Sequence, residues 1–376
     1  MAIAELRRLT AWFWDDAVPL WAERAWDRLR GGFYESLDFN ADPVADEPRR
    51  VRVQSRQIHT FAMIARLKGD ARAAELAQLG FRRLLKTACP EGGARGCGHV
   101  LSYDGICLDA RRDLYDQAFL LLACASIWEA FRDHEALAIA ERATAFLDRE
   151  LKAPEGYWED DARALPRRQN PHMHLFEAML ALHRASGEPA YLERAAALEK
   201  LFRTRFLDRR ARVLREYFVE DLTAADPAKG DIIEPGHMME WVWLLEGYAE
   251  RSGRDAAETQ TLLFERAIEL GEDDGFLVDR RRLGAQQASG SRRLWPQTEY
   301  LKASLVLARR GDAQAEDRAR KLVRALFDSY LDQPVKGLWC DEYEADRCIA
   351  RAVPASILYH LLGAALEAER YLEVRA

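Results

Sequence analysis

Six stretches of this chain read as helices that are apolar on every side, and such a helix must be covered on every side by other protein. They are SRQIHTFAMIARL (55–67), DLYDQAFLLLACASIWEAF (113–131), NPHMHLFEAMLALHRA (170–185), PGHMMEWVWLLEGYAE (235–250), WPQTEYLKASLVLARR (295–310) and VPASILYHLLGAALEAERYL (353–372). Between them lie amphipathic stretches that can shield the apolar set, such as RAAELAQLGFRRLL (72–85), EALAIAERATAFLDRE (135–150) and YLERAAALEKLFRTRF (191–206). Glycine-aromatic or glycine-rich loops, among them GGFYESLD at 31, EGYWEDD at 155, DDGFLVD at 273 and KGLWCDEY at 336, recur at a spacing of roughly 60 residues. The unit is therefore amphipathic helix, loop, all-apolar helix, and the 376 residues hold six of them. The expected fold is all-α: an (α/α)6 barrel of six inner and six outer helices, with short β-hairpins at its mouth. An open helical array competes, but the repeat number is filled and no polar capping repeat ends the chain. No Pro/Ser-rich linker or composition shift interrupts the pattern, so residues 1–376 are expected to form a single catalytic domain.

Composition removes several function classes. The net charge is −7 with both signs interspersed, so no basic stripe points to nucleic acid. No uncharged run approaches the roughly 18 residues that a membrane span needs. The first residues, MAIAELRRLTAWFWDD, lack the apolar core and small-residue cleavage site of a signal peptide. Cys89, Cys97, Cys107, Cys124, Cys340 and Cys348 form no CxxC and no disulfide-scaffold density, and are expected to be reduced thiols in a cytoplasmic protein. The sequence leaves the oligomeric state open and is compatible with a homodimer.

The chemistry-bearing residues sit inside the apolar helices, where a polar group costs free energy unless it finds a partner. Pro235-Gly236 starts a helix and puts His237 in its first turn, on one face with Glu240, Trp241 and Leu244. A helix N-terminus favours the neutral imidazole that a general base needs, whereas pairing with Glu240 favours the charged form. A core histidine satisfied by a carboxylate is the competing reading. His360 lies within the last apolar helix, where a purely structural role is the commoner one. Arg56 and His59 open the first, and a guanidinium aimed into a barrel calls for an oxygen-rich or anionic partner, or else a salt bridge. Tyr115, Asp116 and Trp295 add a phenol, a carboxylate and an indole. His172 and His174 point about 200° apart on a helix and do not easily share an ion. HxxE at 237–240 is not the HExxH zinc pattern, so neither metal nor cofactor is expected. Nor is there a GxGxxG, a Walker A or a GxSxG. These polar groups fall within the first two turns of all six apolar helices, ends that converge on one mouth in a closed ring.

With GGFY, SRQIHTF, LYDQAF, NPHMHLFEA, EPGHMMEW, RLWPQTE and YHLL in this order, the chain resembles the N-acylglucosamine 2-epimerase superfamily over essentially its whole length. EPGH..EW followed by RLWPQTE is most similar to its bacterial mannose isomerase and mannose 2-epimerase-like members. The resemblance implies an (α/α)6 barrel that interconverts sugars at C1 and C2 without a metal, with a monosaccharide as its small-molecule partner. It also implies that His237 and His360 are the catalytic pair and that Arg56, Tyr115, Asn170, His174, Glu240 and Trp295 bind the sugar. The arginine that sulfolytic-type relatives carry ahead of PGH is absent from TAADPAKGD, which speaks against phosphate or sulfonate recognition there.

The expected activity is aldose–ketose isomerisation, D-mannose to D-fructose, by proton abstraction and a cis-enediol. A 2-epimerase is the first alternative. A glycoside hydrolase would need two carboxylates facing each other roughly 5–9.5 Å apart, with Asp116 and Glu240 as candidates. A non-catalytic scaffold would show exposed apolar patches outside, whereas the unusual polar groups here lie inside the apolar helices.

Overall fold

The computed structural model describes residues 2–285 and 290–375. Twelve long helices alternate along them. The inner ones are α2 (Val51–Lys68), α4 (Leu114–Phe131), α6 (Gln169–Ser186), α8 (Pro235–Ser252), α10 (Leu294–Arg309) and α12 (Ile357–Arg375). The outer ones are α1 (Ala2–Ala11), α3 (Ala71–Thr87), α5 (His134–Phe146), α7 (Pro189–Leu201), α9 (Ala257–Gly271) and α11 (Ala313–Leu326). Each inner helix packs against the next, and α12 packs back on α2, so the ring is closed and the open array is excluded. The barrel expected from the apolar pattern is the barrel that forms.

The two helix classes differ as their sequences demand. In α4 every residue from Leu114 to Ile127 except Tyr115 is buried. In α3 only Ala73, Leu76, Ala77, Gly80, Phe81 and Leu84 are, the stripe of a helix with one wet face. The inner-to-outer turns repeat one device. Gly69, Gly187 and Gly253 close inner helices with φ of 67°, 76° and 70°, where a side chain would be strained. Asp70, Asp133 and Asp312 cap the outer helices α3, α5 and α11 by accepting backbone N–H groups of their first turns.

The mouth is built differently from the expected row of hairpins. Local hairpins exist, as between Leu207–Asp208 and Val213–Leu214 and between Glu272–Asp273 and Phe276–Leu277. Most pairing, however, joins neighbouring repeats. Arg49–Arg50 pairs with Val100–Leu101, Arg167–Arg168 with Tyr217–Phe218, Ile232–Ile233 with Arg281–Arg282, and Arg292–Arg293 with Glu342–Tyr343. Ser36–Leu37 pairs with Val353–Pro354, stitching the first repeat to the last.

The cysteine expectation is corrected. Cys89 is joined to Cys97 and Cys340 to Cys348, leaving Cys107 exposed and Cys124 buried as free thiols. Each bond closes a loop at the mouth whose ends return to Cα separations of 4.2 and 6.3 Å. That proximity comes from loop folding, which no cysteine spacing motif encodes. Reduced thiols therefore no longer argue for a cytoplasmic location. Among the described residues no helix is long and apolar enough to cross a membrane.

Candidate active site

The inner helices share a register that carries the site. Their N-cap residues are Arg50, Asp113, Arg168, Glu234 and Arg293. Two residues on stand Arg52, Tyr115, Asn170, Gly236 and Trp295, and six residues on stand Arg56, Phe119, His174, Glu240 and Glu299. In α12 the same offsets from Pro354 fall on Ser356 and His360. Of the first set, Arg52, Tyr115, Asn170, Trp295 and Ser356 line the wall of the mouth, and of the second, Arg56, His174, Glu240 and His360 line its floor. A cavity of about 340 Å³ lies between them, and all eight residues expected to act on a sugar line it: Arg56, Tyr115, Asn170, His174, His237, Glu240, Trp295 and His360.

The glycine-aromatic loops are tied to this wall by repeated contacts. Gln54 accepts from the N–H of Phe33 and donates to its carbonyl, both at 2.8 Å; Gln117 does the same for Cys97 and Gln297 for Leu277. His172 holds the equivalent place, accepting the Tyr157 N–H on Nε2 at 3.0 Å, so it is a structural histidine. Acids from the loops accept the N–H of the mouth arginines: Glu35 from Arg50, Glu159 from Arg168 and Asp279 from Arg293.

The two histidines have opposite surroundings. His237 Nδ1 lies 3.0 Å from Glu216 Oε2 and 3.6 Å from Glu234. Burial disfavours its charge, but Glu216 and Glu234 more than offset that and raise its pKa to about 9. The sequence reading assigned this tuning to Glu240, whose influence is the weaker one. Glu216 was missed because it lies in the loop between the Val213–Leu214 and Tyr217–Phe218 strands, 21 residues upstream within REYF, and only the fold brings it back. His360 Nδ1 is 2.8 Å from Glu299 Oε1. Burial, followed by the charges of Arg56 and Lys302, drives its pKa well below the ordinary value. Trp295 links the pair, its ring centre 5.0 Å from His237 and 5.9 Å from His360. Gly236 permits this, because a Cβ there would come within 2.7 Å of the indole.

The floor is polar and buried. Arg56 donates from Nη2 to the Tyr115 hydroxyl at 2.8 Å and lies over the Phe119 ring at 4.3 Å. Among the described residues no carboxylate lies within salt-bridge distance of it, so the salt-bridge alternative falls away. His174 bonds Glu177 through Nδ1 at 2.9 Å and turns Nε2 to 3.9 Å from Glu240. Burial lowers the His174 pKa to about 4. Burial would raise Glu177, but hydrogen bonds from His174 and Tyr359 hold it down at about 2. Burial and the neighbouring Glu299 push Glu240 up. Glu240 Oε1 and Asn170 Oδ1 are buried and have no hydrogen-bond partner among the described residues, an arrangement that costs stability unless a ligand supplies the partner.

Other expected residues lie elsewhere. Trp241 turns into the core and donates to Gln169 Oε1 at 2.9 Å. His59 bonds Ser126 and lines a separate cavity of about 230 Å³ at the far end of the barrel. Asp116 is fully buried behind the wall, bonded to His99 and the Arg52 N–H, and does not face Glu240 across the cavity. The Asp116–Glu240 pair that a glycoside hydrolase reading would use is thus not assembled. His174, Glu177 and Glu240, and separately Glu240, Glu299 and His360, bring ligand-type atoms within 4.8 Å of one another. The Lys302 ammonium, 2.6 Å from Glu299, already supplies positive charge there.

Two histidines and unpartnered polar atoms thus surround one cavity in the mouth of a closed (α/α)6 ring. The chain belongs to the N-acylglucosamine 2-epimerase family, whose model matches residues 32–364, and it is an isomerase or epimerase acting on sugars. It is 36% identical to the mannose-6-phosphate isomerase of Rhizobium meliloti (strain 1021), over 97% of each chain. It is 26% identical to the D-mannose isomerase of Thermobifida fusca, over 82% of this chain and 80% of that one. The structure of the cellobiose 2-epimerase from Bacillus thermoamylovorans superposes with a TM-score of 0.86 at 20% identity, over 97% of this chain and 99% of that one.

Proposed function

We propose that this protein interconverts D-mannose and D-fructose through a cis-enediol without a metal ion. The supporting observation is the opposed pair of histidines beside Trp295, one biased towards the charged form and one towards the neutral form. On the ring-opened aldehyde, neutral His360 takes the C2 proton on Nε2, and the electron pair of that bond forms the C1–C2 double bond as the carbonyl pair moves onto O1. Charged His237 protonates the ring oxygen to open the sugar, and Arg56 stabilises the developing negative oxygen. His360 then returns the proton to C1 while the O2 proton passes to O1 and the C2 carbonyl forms, giving the ketose. Delivery to C2 from the opposite face would give the epimer. Asn170 and Glu240, with their unpartnered oxygens, bind sugar hydroxyls.

A second reading, phosphorylated mannose as substrate, is favoured by the arginines that line the cavity: Arg50, Arg52, Arg56, Arg168, Arg280 and Arg293. The guanidiniums of Arg52 and Arg293 approach carboxylates only at 3.9 and 3.7 Å, leaving N–H groups for an anion. One experiment separates these outcomes. Mannose and mannose 6-phosphate are incubated separately with EDTA-treated protein in D2O and followed by NMR. Fructose with deuterium at C1 supports the primary reading, and a much higher kcat/KM for the phosphate ester replaces it with the second. Glucose as the main product makes the enzyme an epimerase. Activity that returns only on adding Mn2+ or Zn2+ would refute the metal-free chemistry.

A further inference from the structure

Lys302 is 1% exposed, an unusual place for an ammonium, and the chemistry described above does not use it. It lies one turn beyond Glu299 on α10, its Nζ 2.6 Å from Glu299 Oε2 and 3.8 Å from the centre of the Trp243 ring. Gly363 on α12 leaves room for it, since a Cβ there would already stand 3.4 Å from Nζ. The other oxygen of Glu299 faces His360 Nδ1 at 2.8 Å. Ammonium, carboxylate and imidazole thus form a line that runs from the barrel interior to the cavity.

The direction of the last hydrogen bond matters. If Glu299 is a carboxylate it can only accept, so His360 carries its proton on Nδ1 and keeps the Nε2 lone pair for the sugar. If Glu299 is protonated it can donate instead, the proton of His360 moves to Nε2, and the ring cannot act as a base there. Burial pushes the Glu299 carboxyl above its ordinary range, Lys302 opposes that rise, and Glu177 adds to it. Glu240 is the neighbouring carboxyl, with an oxygen within 4.8 Å, and the Lys302 ammonium stands against Glu299 rather than against it.

We infer that Lys302 is a positioning residue for the reaction: its ammonium keeps Glu299 an acceptor, and Glu299 thereby fixes His360 with its lone pair towards the substrate. This rests on the reading of His360 as the base, but the tautomer can be measured with no sugar present, so the two ideas fail separately. The test uses full-length protein labelled with 15N-histidine, in which long-range proton–nitrogen correlations report the His360 tautomer, assigned by its loss in His360→Asn. Wild type should show Nδ1–H. Lys302→Met should show Nε2–H, with exchange of the sugar C2 proton slowed about 10²-fold or more, the lower range of a general-base contribution. A purely structural lysine would lower the melting temperature and leave the tautomer unchanged, and that result overturns the inference. The double variant Glu299→Gln/Lys302→Met removes both charges and keeps an amide oxygen as acceptor, so it should recover Nδ1–H and most of the exchange rate. A folded double variant that retains the Lys302→Met tautomer and slow exchange also overturns it. Should Lys302→Met not fold, recovery of folding with Nδ1–H in the double variant supports the inference. A double variant that also fails to fold refutes it.

Discussion

Two imidazoles share one cavity yet differ in charge because different groups stand behind them. His237 faces two carboxylates, whereas His360 faces one carboxylate already engaged by an ammonium. The folded pKa of His237, about 9, lies above its ordinary 6.5. Its charge therefore contributes stability that is fully present below pH 6.5 and is lost as pH rises through 9, on the order of 3 kcal/mol. If charged His237 is the ring-opening acid, kcat/KM should fall on the alkaline side with an apparent pKa near 9. His237→Asn should abolish that limb while keeping slow C2 exchange on the open-chain sugar, measured by deuterium uptake. An unchanged alkaline limb in the folded variant would remove His237 from the acid role. Arg56→Ala should lower turnover by on the order of 10²-fold with the melting temperature little changed. A fully active Arg56→Ala protein would take the guanidinium out of the site. Of the eight cavity residues, Arg56, Tyr115, His237, Glu240, Trp295 and His360 stood out in the sequence as polar or aromatic groups near the starts of apolar helices or within them. Asn170 and His174 were assigned to the sugar only through the family resemblance. Glu216, Glu299 as a partner and Lys302 were not legible, because the His237–Glu216 and His360–Glu299 contacts span 21 and 61 residues and carry no local signal.

At the scale of elements, periodicity of apolar residues gave the inner and outer helices, but the register that unites them was hidden. Arg56, Phe119, His174, Glu240, Glu299 and His360 share one structural place and almost no chemistry, so similarity between repeats could not reveal it. The mouth strands were equally hidden: pairing between repeats depends on ring closure, whereas sequence signals for strands report mainly local hairpins. The shared register makes a prediction about Gly236, which occupies on α8 the place that Trp295 holds on α10. A methyl group at 236 would meet the Trp295 ring at 2.7 Å and Pro296 at 2.9 Å, although the helical backbone tolerates alanine. Gly236→Ala should therefore keep the helix and tilt the indole away from His237. The expected result is a drop in kcat/KM of roughly 10-fold, the scale of about 1.4 kcal/mol of lost transition-state stabilisation. Circular dichroism should stay native and Trp295 fluorescence should change. Unchanged kinetics would show that the indole does not align the two histidines.

For the molecule as a whole, the question is which restraints hold the ring and which hold only its mouth. The ring is held by the inner helices packing in cyclic order, by α1 packing on α12 and by the strand pair Ser36–Leu37 with Val353–Pro354. The disulfides lie outside these restraints, each joining residues eight apart in a mouth loop. One of them holds the hairpin that carries Asp341 and Glu342, the first lining the cavity and the second near Arg293. Closing so short a loop restricts the unfolded chain modestly, by about 2.5 kcal/mol per bond in the chain-entropy treatment. Reduction should then lower the melting temperature by a few degrees, keep the helical circular dichroism and raise KM more than it lowers kcat. The check begins with thiol titration in denaturant without reductant, where two of the six cysteines, Cys107 and Cys124, should react. Six reactive thiols would show that the protein is reduced as isolated and would restore the thiol argument for a cytoplasmic protein. Two reactive thiols, with global unfolding on reduction, would mean that the mouth loops and not the helix ring limit the stability of the barrel.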